Sequence, residues 1–299
     1  MSVPTPDELR EYFDSHRNWG RWGDDDQKGA INLITPQKVV SAAGLVRSGR
    51  SVSLSRPLPT LPASNNPNPT QHWIRTYYNP GGGASVDYIA INYHGWSTTH
   101  LDALCHVWGA HGLWNGGNPD TIRHGGARWG PVDRWMNGFM TRGVLIDVPK
   151  FRGEPFVTIE KPVLGDEIEA IAKAEGVTLE AGDALAIYSG RENYEKANRL
   201  WGTAGDPRPG VHPSCLIPVR EHDVAMVVWD MQDATVEEYA GMSLHAGIWA
   251  YGLALVDNAL LAPLAEACAE AGRYEFLLSF SPLLLKGGTG SPVNPMAVF

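Results

Sequence analysis

Three histidines and an aspartate fall between positions 94 and 106 of this 299-residue chain, in the stretch HGWSTTHLDALCH. The whole chain has only ten histidines. Imidazole nitrogens and carboxylate oxygens bind divalent metal ions, and three such ligands with one open position make a catalytic site. His100 and Asp102 are two residues apart, so on a strand both point to one face. His94 and His106 join that face if the strand continues.

The alternative is a hydrogen-bonded histidine cluster, or a surface loop in which these side chains meet water. Four metal-competent side chains on one face are costly unless something binds them, because buried polar groups need partners and clustered imidazoles compete for protons. The stretch therefore predicts a metal site.

The elements that hold this stretch follow from capping signals and hydrophobic spacing. Thr5 with Glu8 forms a capping box that starts one helix. Thr35 starts a second helix that we expect to run to Gly49, so residues 1–50 form an N-terminal helical extension. Later helices are predicted at 164–176, 214–223, 243–252 and 261–272, and strands at 51–55, 143–148, 183–190, 224–230 and 275–285.

Strands mixed with helices indicate an α/β fold. The pattern contains no linker, internal repeat or low-complexity block, so we predict one domain over 1–299. Residues 57–84 are rich in Pro, Asn and Gly and are expected to form a long loop that carries His72 and Trp73. A lid or a dimer arm fits that loop, and simple disorder is the alternative.

Composition narrows the class of protein. The net charge of −9 and the pI near 5.5 argue against nucleic acid and anionic membrane as partners. Cys105, Cys215 and Cys268 are odd in number and far apart, which favours a reducing compartment without disulfides. The N-terminus lacks a signal-peptide pattern, so we expect a cytoplasmic protein that acts on a small molecule. Nucleophile-elbow, phosphate-loop and dinucleotide-binding motifs are missing from the sequence.

The segment THLDALCH resembles the signature of the metal-dependent cyclase family, which includes kynurenine formamidase, isatin hydrolase and trans-dienelactone hydrolase. The segments GDALAIYSG, HDVAMVVWDMQD and the last 28 residues are similar to a longer bacterial branch of that family. The resemblance implies a swivelling β/β/α fold, with a mixed β-core flanked by helices, and a homodimer or homotetramer.

Two departures from the family pattern bear on the ligands. The family's first histidine falls at Trp96 here, and His94 either supplies that ligand or only lines the pocket. In family members with two metals, a later His and a Glu twelve residues on hold the second ion. His245 and Asp257 have that spacing, with the shorter Asp in place of Glu, and form the possible second site.

The resemblance implies hydrolysis of a small cyclic or aryl amide or a lactone. His100 and Asp102 would be ligands of a zinc or manganese ion, which activates a water, and His106 would act as general base and then acid. Arylformamidase and dienelactone hydrolase activities are the nearest alternatives. A non-catalytic metal- or ligand-binding protein and a metal-independent cyclase or isomerase also stay open. Predicted substrate contacts are Trp73, Trp96, Trp114, Asn115 and His212.

Overall fold

The computed structural model describes residues 3–299 and contains a nine-stranded mixed sheet and a separate two-stranded hairpin. The strand order of the large sheet is β1-β11-β9-β5-β6-β7-β8-β4-β10. Its strands are β1 (Ser51–Ser53), β4 (His100–Asp102), β5 (Phe139–Asp147), β6 (Ala184–Tyr188), β7 (Met226–Trp229), β8 (Ala254–Asp257), β9 (Glu275–Phe280), β10 (Gly290–Pro292) and β11 (Met296–Val298). The hairpin pairs β2 (Gln71–Asn79) with β3 (Gly82–Ala90).

Eight α-helices accompany these strands in the described part of the chain. They are α1 (Pro6–Ser15), α2 (Pro36–Ala43), α3 (Val148–Arg152), α4 (Gly165–Ala174), α5 (Arg191–Ala197), α6 (Leu216–Glu221), α7 (Ala246–Tyr251) and α8 (Ala262–Ala271). The capping box of Thr5 and Glu8 is present at the start of α1. Thr35 caps α2, but this helix ends at Ala43, so the expectation that it reaches Gly49 is wrong. Gly49 lies beyond the helix with a φ of +73°, and its amide donates to the Phe299 carbonyl at 2.8 Å.

The centre of the sheet is parallel and buried. Strands β5, β6, β7 and β8 run parallel to one another, and every residue of β6, β7 and β8 is buried. Such near-continuous apolar runs are typical of strands covered on both faces. Helices α2, α4 and α8 pack against β5. The predicted mixed β-core flanked by helices is confirmed.

The strand that carries the histidine motif is shorter than expected. β4 spans only three residues, so the strand does not continue to His94 or His106. β4 lies between β8 and β10, and both pairings are antiparallel. His100 is directly opposite Asp257 of β8 and Pro292 of β10.

Two other boundaries also differ from the sequence prediction. Residues 57–84 are not one long loop, because 71–79 and 82–90 form the hairpin. The strand expected over 275–285 ends at Phe280, and Leu283, Leu284 and Leu285 are exposed. All three cysteines are buried and free, as the sequence predicts. Among residues 3–299, no helix has the length and apolar character needed to span a bilayer.

Candidate metal centre

The candidate metal ligands come from four places in the fold. His100 and Asp102 lie on β4, and Asp257 is the last residue of the neighbouring strand β8. His94 lies in the loop before β4, and His245 immediately precedes α7. Ligand sites of open α/β sheets commonly lie outside the carboxyl ends of parallel strands, and the end of β8 is such a position.

These side chains form two groups of three, each compact enough to hold a metal ion. One group is His94, His100 and Asp102, and the other is Asp102, His245 and Asp257. Within each group the candidate ligand atoms lie within 4.8 Å of one another. Asp102 belongs to both groups and would be a ligand in each.

The two carboxylate oxygens of Asp102 are buried and have no hydrogen-bond partner. Ring nitrogens nevertheless surround them. Oδ1 lies 3.0 Å from His94 Nδ1 and 3.3 Å from His100 Nε2, and Oδ2 lies 3.5 Å from His245 Nε2. A buried carboxylate that accepts no hydrogen bond is costly. These donor atoms therefore fit a divalent cation by type, position and charge.

Hydrogen bonds at the Nδ1 atoms of His100 and His245 turn the Nε2 atoms of these rings toward the centre. His100 Nδ1 donates to the Thr98 carbonyl at 2.8 Å, so its Nε2 faces Asp102. His245 Nδ1 lies 2.5 Å from Asp233 Oδ2, so its Nε2 faces Asp102 and Asp257. Such outer hydrogen bonds fix the tautomer and orientation of metal-binding histidines.

Asp233 and Thr289 are functional candidates that the sequence prediction missed. Asp233 lies after β7 and also accepts a hydrogen bond from the Leu244 amide at 2.5 Å. Thr289 Oγ1 lies 3.0 Å from His94 Nε2. The segment HDVAMVVWDMQD contains Asp233, but nothing in its spacing relates it to His245. Only the folded chain brings the two together.

His106 lies beside the centre without belonging to either group of three. Its ring stacks on that of His94, with centroids 3.9 Å apart and planes within 1° of parallel. Its Nε2 lies 3.8 Å from Asp102 Oδ2, and its side chain is 26% exposed. Burial, which exceeds the opposing effect of Asp102, lowers the pKa of His106 to about 4. The ring is therefore neutral at pH 7 in the protein without metal.

The charged groups of the centre hold one another in their ionised forms in the metal-free protein. Burial alone would raise the pKa of Asp102, but His100, His245 and His94 together hold that pKa well below its ordinary value. Burial alone would lower the pKa of His245, yet Asp257, Asp233 and Asp102 raise it well above its usual value. The surrounding rings thus favour the deprotonated form of Asp102, which is the form that a metal ligand must have.

A buried polar clamp fixes the loop that carries His94. Arg191 is 2% exposed, and its guanidinium donates to the Trp96 carbonyl at 2.6 Å and to Asn258 Oδ1 at 2.9 Å. The Asn258 amide donates in turn to the carbonyls of Gly95 and Thr98, at 2.8 and 3.1 Å. These bonds hold the backbone on both sides of Trp96 in one position.

Two predicted substrate contacts bind the N-terminal segment instead, and one of them, Trp114, is fully buried. Trp114 has no exposed surface, and its indole N–H donates to the Asp26 carbonyl at 3.0 Å. The Asn115 amide donates to the carbonyls of Gly23 and Asp24, both at 2.9 Å. These side chains anchor the N-terminal extension. A side chain without exposed surface cannot line an open pocket, so the expectation for Trp114 is corrected.

The other predicted substrate residues have contacts outside the His/Asp centre. Trp96 is half-buried against Gly202 and lies 5.3 Å from the Arg208 guanidinium. His212 is buried, and its Nδ1 accepts the Ser214 amide at 3.1 Å, which caps the short 3-10 helix Pro213–Cys215. Trp73 lies on the hairpin and is 54% exposed. None of these contacts links Trp73, Trp96 or His212 to the candidate metal ligands.

The fold and this centre define an α/β protein with a buried His/Asp cluster that can hold a divalent metal ion. Residues 51–235, more than half of the chain, match the model of the Cyclase family. The chain belongs to that family, as the THLDALCH segment predicts.

Solved structures with the same fold include a novel cyclase with a TM-score of 0.82 and 29% identity, over 95% of this chain and 100% of that one. Isatin hydrolase A from Labrenzia aggregata matches with a TM-score of 0.57 and 19% identity, over 87% of this chain and 97% of that one. Isatin hydrolase A from Ralstonia solanacearum matches with a TM-score of 0.57 and 17% identity, over 89% of this chain and 98% of that one. No curated protein matches this sequence significantly.

Proposed function

We propose that this chain is a metal-dependent hydrolase whose active site is the cluster around Asp102. One observation carries the proposal. Both carboxylate oxygens of Asp102 are buried and accept no hydrogen bond, and Asp102 belongs to both groups of possible metal ligands. Two proteins of the same fold bear the name isatin hydrolase, and isatin is a cyclic amide. That likeness supports hydrolysis as the reaction class.

The residues that would hold metal follow from the two groups. His94, His100 and Asp102 would hold one ion, and His245 and Asp257 would hold a second that shares Asp102. His94 thus takes the place of the family histidine that is missing at Trp96. Nitrogen and oxygen ligands in this proportion suit zinc and manganese alike.

A divalent ion in this centre would lower the pKa of a water toward neutrality and polarise a substrate carbonyl. His106 supplies the proton transfer. It belongs to neither group of ligands, its Nε2 lies 3.8 Å from Asp102 Oδ2, and part of its ring reaches the solvent. From this place its neutral ring would accept the proton of the attacking water and return it to the leaving nitrogen or oxygen.

The substrate class that we infer is a small cyclic or aryl amide or a lactone. N-Formylkynurenine, which an arylformamidase opens, and a dienelactone are the two alternatives within this class. A protein that only stores metal would need no proton acceptor beside the ligands, and the position of His106 favours an enzyme.

The test measures metal content and turnover together. Protein purified without chelator is assayed for metal per chain, and then for hydrolysis of isatin, N-formyl anilides and lactones with that metal. We expect His106→Ala to keep its metal and lose about 10²- to 10⁴-fold in kcat. His100→Ala should lose both metal and turnover.

His124→Ala is the matched control, because His124 is exposed and lies outside both groups of ligands. It should behave as the parent does in both assays. A parent protein that takes up no zinc or manganese contradicts the proposal. A metal-loaded protein that hydrolyses none of the compounds supports a binding protein instead, and an unchanged rate in His106→Ala would show that His106 has no catalytic role.

A further inference from the structure

Arg208 carries a half-buried positive charge that has no anionic partner. Within residues 3–299, its guanidinium forms no ion pair and donates no hydrogen bond, and its one side-chain contact of note is with the ring of Trp96. Every other arginine of that range that is buried or half-buried donates to a carboxylate or to a backbone carbonyl. A charge withdrawn from water without a partner is costly. The five N–H donors of this side chain are therefore available to an anion.

The backbone of Arg208 is fixed by its neighbours. Its amide donates to Thr235 Oγ1 at 3.1 Å, and its carbonyl accepts the Thr235 amide at 2.9 Å. Two residues on, Gly210 packs so closely that a Cβ there would lie 2.0 Å from the Gln232 carbonyl oxygen. The Gln232 side chain donates in turn to the Gly95 carbonyl at 3.0 Å. Arg208 is thus held beside the loop that precedes β4, and a firmly held backbone suits a binding residue.

This position lies next to the candidate metal centre on two sides. Thr235, which pairs with Arg208, is two residues from Asp233, the partner of a candidate ligand. Trp96, whose ring centroid is 5.3 Å from the guanidinium carbon, is two residues from His94. Two residues of extended chain span at most about 7 Å. A substrate at the metal centre therefore has Arg208 and Trp96 close by.

We propose that Arg208 is a specificity-determining residue that binds a carboxylate group of the substrate. A guanidinium above an aromatic ring uses its face for that contact and keeps the N–H groups at its edge. Those groups match the two coplanar oxygens of a carboxylate in geometry and in charge. This inference rests on the proposed function, and it names the substrate as a small cyclic or aryl amide, or a lactone, that carries a carboxylate.

The first experiment compares hydrolysis of formanilide with that of 2-, 3- and 4-formamidobenzoate, which differ from it only in an added carboxylate. In the parent protein with its metal, we expect kcat/KM for at least one formamidobenzoate to exceed that for formanilide about 10-fold or more. Arg208→Gln should lower this ratio about 10- to 100-fold, because it removes a hydrogen bond between charged groups. The change should fall mainly on KM, since the carboxylate is bound before and during the reaction.

Arg47→Gln is the matched control, because Arg47 is exposed and lies outside the centre. It should keep the ratio of the parent. Both variants should equal the parent in metal content and far-ultraviolet circular dichroism. A parent that prefers none of the formamidobenzoates to formanilide overturns the proposal. A preference that survives unchanged in Arg208→Gln also overturns it, because the metal ions would then bind the carboxylate.

A second experiment measures binding without turnover, by calorimetry with benzoate and with benzamide. Benzoate should bind the parent about 10-fold more tightly than benzamide, and Arg208→Gln should lose that difference. A parent that hydrolyses no anilide but binds benzoate through Arg208 would contradict only the hydrolase proposal. A parent that hydrolyses formanilide but shows no Arg208-dependent preference for a carboxylate in either experiment would contradict only the role of Arg208.

Discussion

Asp233 and His245 form a close pair on the outer side of the metal centre, with 2.5 Å between Oδ2 and Nδ1. The pair keeps the Nδ1 proton on the imidazole and turns Nε2 toward Asp102 and Asp257. We predict that Asp233→Asn weakens metal binding about 10- to 100-fold, because an amide holds the ring less firmly and makes Nε2 less basic. Competition with a chromogenic chelator measures the affinity.

The control for this change is Glu238→Gln, because Glu238 is a nearby exposed acid. It should bind metal as the parent does. Equal metal affinities in Asp233→Asn and the parent would show that the Asp233 carboxylate does not orient His245 for metal binding.

Asp257 decides whether the centre holds one ion or two. It supplies an oxygen to the second group of ligands, and its Oδ1 also accepts the Trp229 indole N–H at 2.5 Å. Asp257→Asn keeps an oxygen for that bond and removes the negative charge. We predict that metal per chain falls from about two to about one by elemental analysis, with an unchanged fold. A parent protein with a single ion, retained in Asp257→Asn, would contradict the two-ion arrangement.

We expect the buried guanidinium of Arg191 to contribute to the free energy of unfolding. Replacement by Met leaves the carbonyl of Trp96 and the amide oxygen of Asn258 without their donor. Breaking a buried charged network in this way costs about 3–5 kcal/mol in the free energy of unfolding. Urea denaturation of the metal-free protein measures this loss.

Arg199→Met serves as the control for Arg191, because the side chain of Arg199 is 68% exposed. It should change the free energy of unfolding by less than about 1 kcal/mol. Arg191→Lys should not restore stability, because an ammonium cannot reproduce the planar set of donors. A lysine variant as stable as the parent would disprove the role of that geometry.

Glu175 gives the unfolding free energy a pH dependence that one substitution can remove. Burial raises the pKa of this carboxyl to about 8 from an ordinary 4.5. The folded state therefore keeps a proton that the unfolded state releases above about pH 4.5. The contribution of this proton to the free energy of unfolding is complete below about pH 4.5. It is lost as the pH rises from there through about 8.

We predict that Glu175→Gln gains stability over the parent as the pH rises from 5 to 9, by about 1–3 kcal/mol at pH 9 after allowance for partial exposure. Thermal unfolding over that pH range tests it. The exposed Glu266→Gln on α8 should show no such trend. Parallel stability curves for Glu175→Gln and the parent would refute the prediction.

Local patterns in the sequence predicted the elements that depend on local physics. The predictions of the Thr5–Glu8 capping box and of strands β5, β6 and β7 are confirmed. Capping and apolar periodicity act within a few residues, so both can be read from the local sequence. The hairpin of β2 and β3 was missed, because β2 and the start of β3 lie in the stretch 57–84, which is rich in Pro, Asn and Gly. The alternation of Trp73, Arg75 and Tyr77 was its one available signal.

The centre itself was predictable only in part. The spacing of His100 and Asp102 identified the core of the motif. His94 reaches them through a loop rather than along a strand, so strand periodicity was the wrong reason for including it. Asp233 and Thr289 could not be predicted, because their contacts arise between segments far apart in the chain.

The position of β4 also has a consequence for how the protein is made. This strand carries His100 and Asp102, but its neighbours are β8 and β10, at residues 254–257 and 290–292. Pairings this distant in sequence form late and slow folding, because a long loop must close first. A ribosome therefore releases the histidine motif well before the partners of β4 exist. The centre therefore cannot close before residues 254–257 and 290–292 have been synthesised, so any metal ion that it holds is bound after that point.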